Sequence, residues 1–76
     1  MVTVIGVRKV NFTTQDGNIV KGRTVYIGFE ANDVDGMQTD KVFLSDTKFG
    51  TVDIAVGLDY NIFYNRYGKV ESMTKA

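Results

Sequence analysis

The cationic and aromatic side chains between Arg8 and Tyr26, and again between Arg66 and Lys69, are the residues of this chain whose types and spacing could do chemistry. Arg8 and Lys9 precede Phe12, Lys21 and Arg23 flank Gly22, and Tyr26 follows three residues after Arg23. Further on, Phe43 shares strand phase with Lys41, and Tyr67 sits between Arg66 and Lys69. Cations interleaved with accessible rings suit a single-stranded nucleic acid. The cations neutralise phosphates, and the rings stack on bases at roughly 1–3 kcal/mol per base. The expected DNA-contacting set is therefore Arg8, Lys9, Lys21, Arg23, Tyr26, Phe43, Arg66, Tyr67 and Lys69. Tyr26 earns its place because it falls out of phase with Val25, Ile27 and Phe29, and Tyr67 because a turn tip rarely buries a ring. Phe12, Phe29 and Tyr64 fall in phase with aliphatic neighbours and are expected in the core. Phe49 and Phe63 equally suit a dimer interface.

Catalysis has little to work with. There is no histidine and no cysteine, which removes Ser-His and Cys-His nucleophile pairs and the commonest general base. The carboxylates sit mostly in turn-like segments, where Asp is favoured for backbone reasons. Asp33-Val34-Asp35-Gly36 superficially resembles part of a calcium loop. Ala31 stands where the first acidic ligand belongs, however, and Val42 where the closing glutamate belongs. The glycine-rich stretches match neither dinucleotide nor phosphate-loop spacing. The sequence points to a binding protein with no enzymatic activity, metal, cofactor or small-molecule substrate.

Seventy-six residues make one domain, residues 1–76, and a domain this small buries only about 60% of its unfolded surface. No disulfide can compensate, so a homodimer is expected as the route to further burial. No apolar run reaches the roughly 18 residues of a membrane span, and a cytoplasmic location is the expectation. The formal net charge is zero, but it is unevenly distributed. Arg8, Lys9, Lys21 and Arg23 face only Asp16 in residues 1–29. Seven carboxylates face Lys41 and Lys48 in residues 30–59, and Arg66, Lys69 and Lys75 face Glu71 beyond them. Both ends are basic and the middle is acidic.

Strand signals must position these groups. Val2, Val4, Val7, Val10 and Phe12 are apolar, and the broken alternation from Val7 to Val10 predicts a β-bulge around Arg8-Lys9 or beside Gly6. Gln15-Asp16-Gly17-Asn18 is a hairpin turn, with Gly17 supplying positive φ. A second strand runs to about Phe29, with Gly22, Thr24, Tyr26 and Gly28 on the face opposite Val25. Glycine inside a strand marks a bulge, sharp coiling or a close approach. A turn over 31–36, a strand over 39–45, a short helical turn or loop over 45–50, a strand over 60–65 and a final strand over 69–73 follow. Asn65-Arg66-Tyr67-Gly68 forms the last hairpin turn. Five strands with a bulged first strand predict an all-β fold: a small five-stranded barrel of the oligonucleotide-binding type with a protruding β-hairpin arm. An SH3-like barrel has similar strand counts.

The pattern Phe12-Thr13-Thr14, Gly17, Gly22-Arg23 and Tyr26 resembles the arm region of the single-stranded DNA-binding proteins of filamentous bacteriophages. Gly57-Leu58-Asp59-Tyr60-Asn61-Ile62 resembles a second strand of that family. The resemblance implies an oligonucleotide-binding barrel that forms a twofold dimer and coats single-stranded DNA during phage replication, largely without regard to sequence. It further implies that residues 15–30 form the DNA-binding arm, with Lys21 and Arg23 on phosphates and Tyr26 on a base or a neighbouring dimer. Gln15 stands where the family carries a basic residue, acidic Asp16 follows it, and one extra residue separates Arg23 from Tyr26. RNA is an alternative ligand. A protein-interaction or phage-assembly module without nucleic acid is the alternative function.

Overall fold

The computed structural model describes residues 1–76. Five strands, β1 (Val2–Thr13), β2 (Ile19–Glu30), β3 (Met37–Ser45), β4 (Asp59–Tyr64) and β5 (Val70–Lys75), form one antiparallel sheet in the order β3-β2-β1-β4-β5. A single helical turn, α1 (Asp46–Phe49), follows β3. The fold is all-β, as the alternation of apolar residues required. No helix is long and apolar enough to cross a membrane.

Two features make β1 and β2 an arm. The strands pair with each other from Thr3↔Gly28 out to Thr13↔Ile19, but β3 covers β2 only as far as Gly22, and β4 pairs with β1 only at Val2 and Thr3. The far end of the hairpin therefore projects, and the molecule measures 44 × 25 × 23 Å. Gly17 closes the tip at φ 87°, a left-handed conformation that the Asp-Gly dipeptide supplies cheaply. Beside it the Thr14 hydroxyl donates to Asp16, and Asn18 Nδ2 donates to the other carboxylate oxygen at 3.1 Å.

The bulge in β1 lies between Val4 and Gly6, so the extra residue is Ile5, and neither Arg8 nor Lys9 is bulged. Its consequence is a change of face. Val2 and Val4 lie on the inner face, but beyond the bulge the odd residues Val7, Lys9 and Asn11 point inward and Arg8, Val10 and Phe12 point outward. The broken apolar alternation is this change of face. Phe12 is consequently 51% exposed on the outer side of the arm and not in the core.

The core is small and entirely apolar in its packing: Val4, Val25, Ile27, Leu44, Phe49, Tyr60 and Met73, with half-buried Phe29 against it. Each fully buried aliphatic side chain contributes about 1.5–3 kcal/mol. Phe49 is thus a core residue that anchors α1, unavailable to a dimer interface, whereas Phe63 is 55% exposed. Buried Tyr60 fastens the long connection before β4: Ala55 N–H donates to its hydroxyl at 2.9 Å, and the hydroxyl donates to the Asp53 carbonyl at 3.2 Å.

The expected closure into a barrel is absent. β3 and β5 stand at opposite ends of the ladder order; they come close in space but share no ladder. β3 gives way to α1 after Ser45, and β5 loses register beside its start, where Phe63 pairs with Ser72 but Tyr64 pairs with Val70. Their backbone groups are therefore never aligned for pairing. Tyr64 belongs to the inner row of β4 with Tyr60 and Ile62, yet it reaches past the core into this opening and is 51% exposed.

Candidate nucleic-acid interface

The outer face of β1–β2–β3 is built on glycine. Gly6 lies opposite Tyr26, and a Cβ at Gly6 would meet the Tyr26 ring at 3.5 Å. A Cβ at Gly22 would strike the tip of the Phe43 ring and the Leu44 carbonyl oxygen, both at 2.5 Å. At Gly28 the neighbours are the Met37 thioether and Ile5. Each in-strand glycine is thus a seat for a side chain from the next strand. The close approach that glycine signalled in the sequence comes from the protein's own side chains, aromatic rings at Gly6 and Gly22 and Met37 with Ile5 at Gly28.

Seating the rings fixes them from below and leaves their upper surfaces to solvent. Phe43 remains 44% exposed, and Tyr26 is half-buried. Cross-strand pairing sets their neighbours: Tyr26 lies opposite Lys41, Thr24 opposite both Arg8 and Phe43. Arg8, Thr24, Tyr26, Lys41 and Phe43 line one shallow hollow, and Tyr26 and Lys41 also border the adjoining one. Two rings and two cations thereby share one surface. Ring centres that are already positioned lose little conformational freedom when a base stacks on them.

The other expected residues fall into two further groups. Lys9, Lys21 and Arg23 lie on the inner face of the arm stem, where with Asp46 they line a hollow of about 510 Å³. Lys9 and Arg23 are direct cross-strand partners, an arrangement of like charges that costs stability. Arg23 has a structural role that the expectation did not include. Its Nη2 donates to the carbonyls of Phe49 at 2.7 Å and Val52 at 3.1 Å, so the guanidinium holds the end of α1. The signal was present in the sequence, since Arg23 is in phase with Val25 and Ile27 and not with Tyr26. Lys21 remains exposed.

Arg66 and Tyr67 stand together at the β4–β5 turn. The guanidinium lies 5.0 Å from the Tyr67 ring centroid and donates to its hydroxyl at 2.9 Å, while the ring is 72% exposed. Asn65 shapes the turn by accepting from the N–H groups of Tyr67 and Lys69 at 2.9 and 3.1 Å. Lys69 borders the opening between β3 and the β4–β5 hairpin.

No family model, curated protein or solved structure matches this chain. The site rests on its own geometry.

Three residues absent from the expected set belong beside it. Lys41 joins the outer-face hollows, and Lys48 and Tyr64 border the opening between β3 and the β4–β5 hairpin. The shared strand phase of Lys41 and Phe43 could have identified the first. Nothing local to Tyr64 reveals its exposure, which depends on where β3 ends.

Proposed function

We propose that this protein is a non-enzymatic, largely sequence-independent single-stranded DNA-binding protein. Its binding surface is the outer face of β1–β2–β3. The observation that carries the reading is the pair of rings, Tyr26 and Phe43, laid over Gly6 and Gly22 with Arg8 and Lys41 beside them. Aromatic platforms flanked by cations hold single strands by stacking and phosphate neutralisation, neither of which depends on base identity. The strand order supports an oligonucleotide-binding type of barrel, left partly open between β3 and β5. In folds of that type the surface of strands 2 and 3 and the loops after strands 1 and 4 take the ligand, and here those segments hold Tyr26, Phe43 and the Arg66–Tyr67 pair.

The protein acts in the cytoplasm as a homodimer, coating DNA during replication of a phage or mobile element. The exposed Phe63 and the small core support self-association. Titration of a labelled oligothymidine at low and moderate salt tests the reading, with sedimentation velocity reporting the dimer. Binding at low salt that weakens steeply as salt rises is expected; no binding at low salt overturns it. A second reading, a protein-interaction or assembly module, is favoured by exposed Phe12 and Ile19 on the arm. It requires indifference to DNA.

A further inference from the structure

The opening between β3 and the β4–β5 hairpin has no role in the fold as described. Its volume is about 490 Å³, within the usual range for a ligand cleft. Its floor includes buried Phe49 and half-buried Val42 and Val70, and Phe43 and Tyr64 stand at its sides. Lys41, Lys48 and Lys69 reach it, and no carboxylate lines it, in a chain whose nine Asp and Glu residues balance its nine Lys and Arg. Three cations around one cleft repel one another unless an anion joins them. Tyr64, in the core row of its strand, leaves half its surface in the water of this cleft.

The cleft is also continuous with the outer face. Lys41 and Phe43 border both the hollow beside Tyr26 and the opening. The sequence of rings is therefore Tyr26, Phe43, Tyr64. Lys48 is held near the floor with its ammonium 5.5 Å from the Phe49 ring centroid.

We infer that this opening is a second segment of the binding track, occupied by the same DNA strand after it leaves Phe43. Tyr64 stacks on a base there, and Lys48 and Lys69 contact the phosphates. The inference rests on the reading of the outer face as a single-strand platform. It adds that the unclosed edge between β3 and β5 is filled by nucleic acid.

Fluorescence anisotropy with oligothymidines of about four and about twelve nucleotides, a short and a long length within the usual occupancy of one such domain, separates the two claims. Tyr64→Ala is expected to weaken the longer strand about tenfold or more while changing the shorter one little, and Tyr64→Phe to restore it. Lys48→Ala combined with Lys69→Ala, both exposed positions, is expected to reduce the salt slope by about 1.4 for the longer strand only. If Tyr64→Ala and the double lysine variant both bind the longer strand as the parent does, the inference fails. The outer-face reading then still stands provided that Tyr26→Ala weakens both strands. If the parent binds neither strand at low salt, both claims fail. Tighter binding of oligoglutamate than of oligothymidine, abolished by the double lysine variant, overturns the inference in favour of an acidic protein partner.

Discussion

On the inner face of β2, Arg23, Val25, Ile27 and Phe29 hold the protein together; on its outer face Gly22 and Gly28 lie buried beneath neighbouring side chains, while Thr24 and Tyr26 are half-buried and present a surface. The inner row alternates with the outer at every residue, so one strand carries both. The contrast shows that residue type alone does not assign a role here. Arg23 is a cation used for structure, and Tyr26 is an aromatic ring used at the surface. Their positions in the strand, odd or even, decide which.

Removing the outer row's rings should produce the largest effect. Tyr26→Ala combined with Phe43→Ala is expected to weaken oligothymidine binding by about a hundredfold or more, at roughly 1–3 kcal/mol per stacked base. Thermal unfolding should change far less, because neither ring belongs to the buried cluster. A variant that loses stability but keeps its affinity would dissolve the contrast between the two faces.

Arg23→Ala should do the reverse. It leaves the Phe49 and Val52 carbonyls without their charged donor, and hydrogen bonds to charged groups contribute about 1.5–3 kcal/mol. Urea unfolding should register that loss, while the salt slope of binding stays close to the parent's. Arg23→Lys should recover only part of the stability, since an ammonium lacks the planar fork.

Gly22→Ala tests the seat itself. The added methyl meets the Leu44 carbonyl oxygen as well as the Phe43 ring, and the carbonyl cannot rotate away as a ring can. A loss of about 1–3 kcal/mol is expected from such overpacking, accompanied by weaker binding as Phe43 is displaced. Stability and affinity should fall together at this position alone, because it lies beneath one face and against the backbone of the next strand.

Much of this arrangement was legible in the sequence. The five strands, the turns at Gly17, Gly36 and Gly68 and the outward phase of Tyr26 all follow from alternation and turn chemistry. What escaped was set by pairing between distant segments. By residue count Phe12 continues the apolar row of Val2 and Val4, because the count conceals the face change at Ile5. By phase Tyr64 belongs to the core, because its row is a core row until β3 ends. Gly22 announced that something approaches it, but only the β2–β3 register identifies that neighbour as Phe43.

The arm tip should give the smallest effect. The Thr14 hydroxyl is the main cause holding the Asp16 carboxyl below the usual carboxylate range. Backbone N–H groups and the Asn18 amide add to it, against a small opposing desolvation. A depressed folded pKa means that the contribution is complete above the unfolded value of about 3.9 and is lost as the pH falls below it. Protection of the residue 14–18 amides, taken relative to the intrinsic exchange rate at each pH, should fall on acidification through that range while that of the core amides holds. Asp16→Asn should remove the pH dependence.

The single residue added at Ile5 works as a phase shifter. Upstream of it β1 speaks to the core through its even positions, and downstream through its odd ones. Deleting Ile5 would therefore remove the bulge and leave the rest of the arm facing as it does, since Val4 opposite Ile27, Gly6 opposite Tyr26 and Val7 opposite Val25 already form an unbroken alternation without it. Val10 and Phe12 would stay on the outer side, and Lys9 would stay on the inner side opposite Arg23. Length, at this one point, is as much a coding variable as residue identity: one extra residue reverses which positions of the sequence face the core, and the bulge absorbs it so that the arm keeps its two surfaces.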